Sequence, residues 1–252
     1  MLKRRIIPIE LLLDGRLVKT VGFDSCRDVG DPLKSSLVYS NQDADELILL
    51  NIGRERRDTR ETVDYLRAIA GKCFMPLAVG GGVRSVDDAA LLFAAGADKV
   101  IVNSAAYGDP GLISAITDRW GSQSLVVSMD VMQRADGAHL LFSDCGRKAE
   151  AINPLAHMLF ALAAGAGELL VNSIQNDGVM TGYDLDIIRL LRPLCHVPLI
   201  ICGGAGNYQH LKDAFDLGVN AVACGSLFNF GDNNPLRAKS FLKNYDVPLK
   251  RI

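Results

Sequence analysis

The chain has 252 residues, 49% of them hydrophobic and 22% charged, with a formal net charge of -2. This length suits a single (β/α)8 barrel or two small domains, and the composition provides ample material for a core. Because the charge is close to neutral, nothing in it favours a nucleic-acid partner, and we expect a protein that acts on small molecules.

Cysteine and histidine usage predicts neither a disulfide framework nor a metal site. The six cysteines show no CxxC pairing, and the four histidines have no metal-ligand spacing with them. We therefore expect reduced thiols, a cytoplasmic location and no metal. The opening segment MLKRRIIPIELLLDG is predicted to be a first strand, since Pro8 and Glu10 interrupt its apolar run. No run approaches the roughly 20 apolar residues of a membrane span, so we expect no membrane association.

Eight short apolar runs recur along the chain and are predicted to be strands. They are rich in Val, Ile, Leu and Ala throughout, as expected where a parallel sheet is buried on both faces. The stretches between them are long enough for crossover helices. The predicted strands lie near residues 5–9, 47–51, 77–80, 99–103, 125–130, 169–173, 199–202 and 221–225.

An internal repeat relates the two halves of the chain. The motif PLAVGGG returns as PLIICGG 122 positions later, and the same offset relates Gly82 to Gly204 and Ser104 to Ser226. A repeat on this scale indicates a structural duplication. The sequence therefore predicts one α/β domain over 1–252, a single (β/α)8 TIM barrel with half-barrels of about 1–122 and 123–252.

Two connections are longer than the others, one from about Val18 to Asp31 and one from Gln133 to about Asn153. Connections of this length are typical of active-site lids or hairpins. Each follows an odd-numbered strand, one in each half. On a barrel they are expected to rise over the rim formed by the carboxyl ends of the strands, where the chemistry of this fold lies.

Glycines and small polar residues follow strands three, four, seven and eight and predict two matched phosphate-binding cradles. Glycine lets backbone amides approach phosphate oxygens, and serine adds a hydroxyl donor. The alternative is that these glycines only permit tight turns between strands and helices. The candidate phosphate-binding residues are Gly81, Gly82, Asn103 and Ser104 in one half and Gly203, Gly204, Gly225 and Ser226 in the other.

Two aspartates are candidates for acid–base chemistry at the rim. Asp130 closes the apolar run VVSMD, and Asp177 lies in NDG after the sixth strand. Each has an alternative role that is purely structural. Asp130 would then be a loop or cap residue whose hydrogen bonds are satisfied, and Asp177 an ordinary turn residue. The first strand supplies no partner for Asp130, since Glu10 points to the opposite side of the strand from Leu11. Asp14 is better explained as a turn residue with Gly15.

Charged residues lie at the beginnings of four predicted strands, at the end of the barrel away from the cradles. They are Arg5, Glu46, Lys99 and Glu168. On their own, two cations and two anions placed in this way are most often solvated surface charges. The alternative is a charged ring at the amino-terminal end of the barrel.

Six segments together resemble the cyclase subunit (HisF) of imidazole glycerol phosphate synthase along nearly the whole chain. They are DGRLVK, PLAVGGGVRS, GADKVIVNSAA, VVSMD, SIQNDGVMTGYD and IICGGAG. The resemblance implies a (β/α)8 barrel that receives ammonia from a glutaminase subunit at the amino-terminal face, with no cofactor. That ammonia is used on a doubly phosphorylated nucleotide at the carboxyl-terminal face. A sibling sugar-phosphate isomerase shares the barrel, but SIQNDGVMTGYD and the charged ring favour the cyclase.

The resemblance also assigns roles to individual residues. It implies that Arg5, Glu46, Lys99 and Glu168 form the gate for ammonia and that Asp98 contacts the glutaminase. Lys19 matches the substrate-contacting lysine of the first long loop, and both sets of candidate phosphate-binding residues match the family. Asp130 matches one member of the family's catalytic pair, and Asp177 remains a second catalytic candidate.

Two positions depart from the family pattern. Leu11 stands where the family has the other catalytic aspartate, and Asn51 stands at a further family aspartate. Loss of one member of an acid–base pair typically costs about 10²–10⁴-fold in rate.

The departures resemble a paralogous branch that feeds ammonia to an ATP-dependent sugar amidotransferase, which forms acetamidino sugars for surface polysaccharide. We take this as the favoured hypothesis. The first alternative is the cyclase that makes imidazole glycerol phosphate and AICAR in histidine biosynthesis. The second is a non-catalytic scaffold that activates the glutaminase.

Overall fold

The computed structural model describes residues 3–53, 58–109 and 111–250. Within them a single sheet runs through twelve strands. The strands are β1 (Arg5–Leu13), β2 (Arg16–Lys19), β3 (Arg27–Gly30), β4 (Leu47–Asn51), β5 (Leu77–Gly80), β6 (Lys99–Val102), β7 (Leu125–Gln133), β8 (His139–Ser143), β9 (Lys148–Ala149), β10 (Glu168–Ser173), β11 (Leu199–Cys202) and β12 (Ala221–Cys224).

Eight of these strands close into a parallel barrel. Its order is β1, β4, β5, β6, β7, β10, β11 and β12, and β12 pairs with β1 to complete the circle. All eight correspond to the strands predicted from the apolar runs. The predicted (β/α)8 barrel is therefore confirmed.

Helices lie between the barrel strands and cover the outside of the sheet. The helices are α1 (Pro32–Asn41), α2 (Thr59–Ala70), α3 (Val86–Ala94), α4 (Ser104–Gly108), α5 (Gly111–Trp120), α6 (Pro154–Ala163), α7 (Leu185–Leu191), α8 (Tyr208–Asp216), α9 (Ser226–Asn229) and α10 (Pro235–Lys243). A 3-10 turn covers Ser122–Ser124. Among the described residues, no helix combines the length and the apolar character that a membrane crossing requires.

Equivalent helices in the two halves begin in the same way. Ser85 caps α3 by accepting a hydrogen bond from the backbone of Asp88, and Asn207 caps α8 by accepting one from His210. These two caps are related by the same 122-residue offset as the cradles. A side-chain oxygen at this position satisfies a backbone donor that the first helical turn leaves open.

Side chains of the barrel strands alternate between two apolar layers. On β1, Ile6 and Leu12 point outward toward the helices, whereas Ile7 and Ile9 point into the barrel. This alternation follows from the two-residue period of a strand. The buried inward layer consists of Ile7, Ile9, Ile48, Ala78, Ile101, Val126, Leu170, Ile200, Cys202, Ala221 and Ala223.

Both long connections form antiparallel hairpins above the barrel. β1 runs to Leu13, four residues beyond its predicted end, and turns through Asp14 and Gly15 into β2. Both turn residues have positive φ, 48° and 75°, the geometry of a two-residue hairpin turn. β7 extends in the same way to pair with β8. The predicted strands 5–9 and 125–130 are therefore too short, because hairpin pairing continues both strands past the barrel.

Candidate active site

A cavity of about 1000 Å³ opens at the carboxyl ends of the barrel strands. Every residue predicted to be catalytic or phosphate-binding contributes to its lining, because the carboxyl ends of parallel strands all meet at this rim. These residues are Lys19, Gly81, Gly82, Asn103, Ser104, Asp130, Asp177, Gly203, Gly204, Gly225 and Ser226.

The first cradle follows β5 and β6. Gly81 and Gly82 have φ of 92° and 86°, which favours glycine. A Cβ at Gly81 would lie 2.0 Å from the backbone oxygen of Asn51, so no other residue fits this turn. Asn103 precedes α4 without capping it through its side chain. Ser104 Oγ accepts a hydrogen bond from the backbone of Asp144 at 3.0 Å, which joins this cradle to the second hairpin.

The second cradle follows β11 and β12 and repeats this geometry. Gly203 and Gly204 have φ of 86° and 113°. A Cβ at Gly204 would lie 2.0 Å from the backbone oxygen of Gly182. Gly225 precedes α9 as Asn103 precedes α4, again with no side-chain cap. Both cradles therefore contain glycines at turns whose backbone conformation and surroundings exclude a side chain.

Lys19 lies beside the second cradle. A Cβ at Gly225 would lie 3.0 Å from Lys19 Nζ, and the ammonium donates to the backbone oxygen of Ile9. Burial lowers the pKa of Lys19 to about 8. The group is still largely protonated at pH 7 and provides a positive charge next to the glycines of this cradle.

Asp130 lies on β7 at the wall of the cavity. Its Oδ2 accepts a hydrogen bond from Asn103 Nδ2 at 2.7 Å, which links it to the first cradle. In the parallel ladder Asp130 stands opposite Asn172 of β10. A carboxylate held by an amide at this place has the position that a general acid or base requires.

Asp177 fastens the first hairpin to the rim. Its Oδ2 accepts hydrogen bonds from Thr20 Oγ1 at 2.5 Å and from the backbone of Phe23 at 3.3 Å. Its backbone oxygen also accepts one from Gly22 at 2.9 Å. Burial raises the pKa of Asp177 despite these bonds. The side chain thus holds the loop that carries Lys19.

The two positions that depart from the family pattern lie at the rim. Leu11 is half-buried and lines the cavity, whereas Glu10 is fully buried on the outer side of β1 and accepts from Ser36 Oγ at 3.0 Å. This is the orientation predicted from strand alternation. Asn51 Oδ1 accepts a hydrogen bond from the backbone of Gly53 at 2.9 Å and so stabilises its own turn.

At the opposite end of the barrel, Arg5, Glu46, Lys99 and Glu168 form a closed charged ring. Lys99 Nζ lies 3.0 Å from both Glu46 and Glu168, and Arg5 pairs with Glu46 and lies 3.2 Å from Glu168. Burial opposes the charge of Arg5, but the two carboxylates outweigh it and its pKa is raised. Since side-chain exposure ranges from 2% to 20%, the surface-charge interpretation is wrong.

Strand alternation connects the charged ring to the cavity. Each ring residue is the first member of an inward-facing column, followed two residues later by an apolar side chain and then by a residue of the cavity wall. The columns are Arg5, Ile7, Ile9 and Leu11 on β1; Glu46 just before β4, with Ile48 and Leu50 on it; Lys99 and Ile101 on β6, with Asn103 just after it; and Glu168, Leu170 and Asn172 on β10.

Asp98 lies next to the ring on the amino-terminal face and is exposed. Its Oδ2 accepts a hydrogen bond from the backbone of Leu77 at 2.8 Å. Its counterpart in the repeat, Asn220, accepts one from Leu199 at 3.1 Å. Asp98 therefore has a structural contact at the start of β5 in addition to the partner contact that the resemblance implies.

Three further residues shape the site without having been singled out in the sequence. Thr20 binds Asp177, and Leu50 and Asn172 line the cavity. Asn172 is detectable from the sequence, since it is a polar residue near the end of the apolar run ELLVNS. The same pattern in VVSMD indicated Asp130. For Thr20 there was no such signal, because its partner lies 157 residues away.

The fold and the site together define a (β/α)8 barrel with paired glycine-rich turns at the carboxyl ends of its strands and a ring of four charges at the amino ends. A family model described as "Histidine biosynthesis protein" matches residues 5–234. The chain belongs to this family, within its HisF branch.

Three relatives carry the name "Imidazole glycerol phosphate synthase subunit HisF". The protein from Chlorobium luteolum is 38% identical over 251 residues, which are 99% of this chain and 100% of the relative. The protein from Streptococcus mutans is also 38% identical over 251 residues, with the same coverage. The protein from Leifsonia xyli subsp. xyli is 45% identical over 230 residues, 90% of this chain and 91% of the relative.

Proposed function

We propose that the chain is the ammonia-accepting subunit of a glutamine amidotransferase, paired as a heterodimer with a glutaminase subunit. The observation that carries this proposal is the placement of the charged ring and the cavity at the two ends of one apolar barrel interior. Ammonia released at the amino-terminal face enters through the ring and reaches the cavity, where it reacts with a phosphorylated substrate.

The interior between the ring and the cavity suits neutral ammonia. The inward layer at this level is aliphatic apart from Cys202 and Ser128, the ladder partner of Leu170. Transfer of an ammonium ion into such surroundings is strongly unfavourable, whereas neutral NH3 loses much less solvation. Within the ring, each carboxylate is shared by two cations, so the resting ring is closed and internally neutralised. Passage requires that at least one of these ion pairs open.

The two cradles suit a ligand with a phosphate at each end. In the closed strand order, β5 and β6 lie halfway around the barrel from β11 and β12. A ligand held in both cradles therefore spans the cavity, and its middle passes Asp130 on β7. In this arrangement Lys19 neutralises the phosphate in the second cradle.

The reaction that the relatives' names support best is that of imidazole glycerol phosphate synthase. On this proposal, the substrate is the doubly phosphorylated nucleotide of that enzyme, and the products are imidazole glycerol phosphate and AICAR. Asp130 is the carboxylate that moves the proton, because it is positioned by Asn103 and faces the ligand's middle. With Leu11 across the barrel instead of a second acid, turnover is slowed by about 10²–10⁴-fold.

A second candidate function is delivery of ammonia to an ATP-dependent sugar amidotransferase in surface-polysaccharide synthesis. The observation that favours it is Leu11, whose aliphatic side chain faces the cavity where cyclization needs an acid–base group. The names of the relatives give this role less support than the cyclase. On this second proposal, the chain keeps the route for ammonia and has lost cyclization.

One assay separates the two functions. The chain is combined with the glutaminase subunit of an imidazole glycerol phosphate synthase, glutamine and the doubly phosphorylated substrate, and both glutamate and imidazole glycerol phosphate are measured. The cyclase proposal predicts slow product formation that Leu11→Asp accelerates and Asp130→Asn abolishes. Glutamate formation without product in either the wild type or Leu11→Asp favours the second function. A glutaminase that is neither bound nor stimulated contradicts both.

A further inference from the structure

Phe74 is the most exposed large apolar side chain among the described residues. It is 98% exposed, whereas the next in order, Leu194, is 54% exposed. Phe74 lies in the loop 71–76, which joins α2 to β5 and therefore lies on the amino-terminal face of the barrel. A phenylalanine ring left in water forgoes the favourable free energy of burial, which the binding of a partner recovers.

The neighbours of Phe74 anchor the loop 71–76 to the barrel. Cys73 and Met75 are 6% and 8% exposed and pack in the outer apolar layer. The backbone N–H of Cys73 also donates to the carbonyl oxygen of Ile69 at 2.8 Å, which ties the loop to the end of α2. Because both flanking side chains point inward, Phe74 points outward from a backbone that is already held in place. A side chain presented in this way loses little conformational freedom on binding.

The same loop is hydrogen-bonded on both sides next to members of the charged ring. On the β4 side, the backbone oxygen of Pro76 accepts a hydrogen bond from the residue that follows Glu46, at 2.9 Å. On the β6 side, the residue after Pro76 donates to Asp98 Oδ2 at 2.8 Å, and Asp98 directly precedes Lys99. Phe74 therefore stands on the rim of the amino-terminal face, outside the ion pair between Glu46 and Lys99.

This position identifies the partner that covers the ring of Phe74. In the proposed function, a glutaminase subunit lies on the amino-terminal face and releases ammonia at the charged ring. A subunit seated over the Glu46–Lys99 pair also covers the loop 71–76, because the loop borders that pair on both sides. Asp98 is exposed on the same rim and places a negative charge beside the aromatic ring.

We propose that Phe74 is an aromatic anchor that inserts into an apolar pocket of the glutaminase, and that Asp98 pairs with a cationic side chain next to that pocket. The inference rests on the proposed function, since it requires the glutaminase at this face. Buried aromatic side chains carry much of the binding free energy of protein interfaces. Phe74 also determines partner choice, because a glutaminase with a charged surface at this place would have that charge buried without a partner.

Replacement of Phe74 tests the anchor. The full chain is titrated by calorimetry with the glutaminase subunit used to test the proposed function. Phe74→Ala should weaken binding by about thirtyfold or more, the usual loss at an interface hot spot. Phe74→Leu should bind within about tenfold of the wild type, since leucine fills much of an apolar pocket. Leu159→Ala is the matched control and should bind as the wild type does, because Leu159 is 45% exposed on α6, on the outer wall of the barrel.

Ionic strength separates the apolar part of the contact from the charged part. The loss of affinity in Phe74→Ala should be the same at about 0.05 and about 0.5 M salt, because burial of an aromatic ring is not screened. Asp98→Asn keeps the acceptor at the start of β5, and its loss should shrink at the higher salt concentration because exposed ion pairs are screened. A Phe74→Ala loss that disappears at high salt overturns the apolar pocket.

Glutaminase turnover separates docking from an effect on the charged ring. With Phe74→Ala, a higher concentration of the barrel subunit should be needed for half-maximal stimulation of glutamine hydrolysis, and the rate at saturation should equal that of the wild type. A lower rate at saturation with unchanged affinity overturns the anchor. Since Phe74 is almost wholly exposed, its replacement should leave the melting temperature unchanged, which circular dichroism checks.

The outcomes separate this inference from the proposed function on which it rests. Binding of Phe74→Ala within about threefold of the wild type overturns the anchor and leaves the proposed function standing. A wild-type chain that does not bind the glutaminase overturns both. Dimerisation of the chain alone that Phe74→Ala abolishes, measured by sedimentation equilibrium, assigns the ring to a second copy of the chain and overturns its assignment to the glutaminase.

Discussion

Glu10 shows how one buried side chain makes stability depend on pH. The residue is fully buried, Ser36 binds its Oε2, and its Oε1 has no partner among the described residues. Burial raises its pKa from 4.5 to about 7, although nearby serines and Lys19 act in the opposite direction. Since the protonated form is favoured in the folded state, its stabilising contribution is present below pH 4.5 and is lost as pH rises through about 7.

The replacement Glu10→Gln should therefore stabilise the protein only at high pH. Glutamine keeps the acceptor for Ser36 but cannot ionise. In urea unfolding at pH 8.5, the variant should be more stable than the wild type by up to about 3 kcal/mol, the free energy that corresponds to a rise in pKa from 4.5 to about 7. At pH 5 the two proteins should differ little. A difference of the same size at both pH values would contradict the role of ionisation.

On the proposed function, Asp130 is the residue on which turnover depends. Asp130→Asn should abolish formation of the phosphorylated product in the glutamine-dependent assay, because the amide cannot exchange the proton. The variant should melt within a few degrees of the wild type, since its side-chain oxygen can still accept from Asn103. Asp136→Asn, at an exposed position of the second hairpin, is the control and should leave turnover unchanged. Product formation by Asp130→Asn at the wild-type rate would remove Asp130 from the mechanism.

Gly225 tests the second cradle more cleanly than Gly204. A side chain at Gly204 would collide with the backbone of Gly182 at a φ of 113°, so its replacement deforms the turn itself. Gly225 has a φ of -105°, which any residue can adopt, and a Cβ there meets the flexible end of Lys19. We expect Gly225→Ala to weaken binding of inorganic phosphate by about tenfold or more, because it displaces the ammonium. Unchanged affinity in a titration would show that phosphate does not use this cradle.

At the scale of elements, the two hairpins carry much of the site and are fastened to the rim by hydrogen bonds. The first hairpin binds Asp177 through Thr20 and Phe23, and the second reaches the first cradle through the bond between Asp144 and Ser104. Residues 21–30 of the first hairpin are exposed or half-buried, so they should open more readily than the barrel strands, whose side chains are almost wholly buried. The geometry of Lys19 therefore depends on the contact between Asp177 and Thr20.

Replacing Thr20 should loosen the first hairpin without disturbing the barrel. Thr20→Val preserves shape but removes the hydroxyl that donates to Asp177, whereas Thr20→Ser retains the donor. Hydrogen exchange should become faster in residues 21–26 of the valine variant, remain near the wild-type rate in the serine variant, and stay unchanged in β4 and β10. Equal exchange in both variants would show that the hydroxyl does not hold the hairpin.

At the scale of the whole molecule, the repeat explains what could be predicted from the sequence. The eight strands followed from their continuous apolar runs, and the residues after them were expected to meet because parallel strands share one carboxyl-terminal edge. The sequence pattern alone does not distinguish a charged ring from four separate surface residues, since the same residues on an open surface would be ordinary solvated charges. Closure of β12 on β1 is what brings Arg5 and Glu168 together.

Other features depend on contacts that no local pattern encodes. The bond between Thr20 and Asp177 joins residues far apart in the chain, and the ends of β1 and β7 are set by hairpin pairing. The cavity wall formed by β1 and β4 is aliphatic at Leu11 and Leu50, whereas the wall formed by β7 and β10 is polar at Asp130 and Asn172. Their opposition becomes evident only when Leu11 with Leu50 and Asp130 with Asn172 are seen as ladder partners.

We propose that ammonia passes from the charged ring through the barrel to the cavity. This route is tested most directly by supplying the chain and its glutaminase with glutamine labelled with ¹⁵N in the side-chain amide, together with an excess of unlabelled ammonium. The nitrogen incorporated into the phosphorylated product is then measured by mass spectrometry, in Leu11→Asp if the wild type is too slow. This nitrogen should be mainly ¹⁵N, because the ammonia never reaches the solvent. Product that carries mainly unlabelled nitrogen would contradict it.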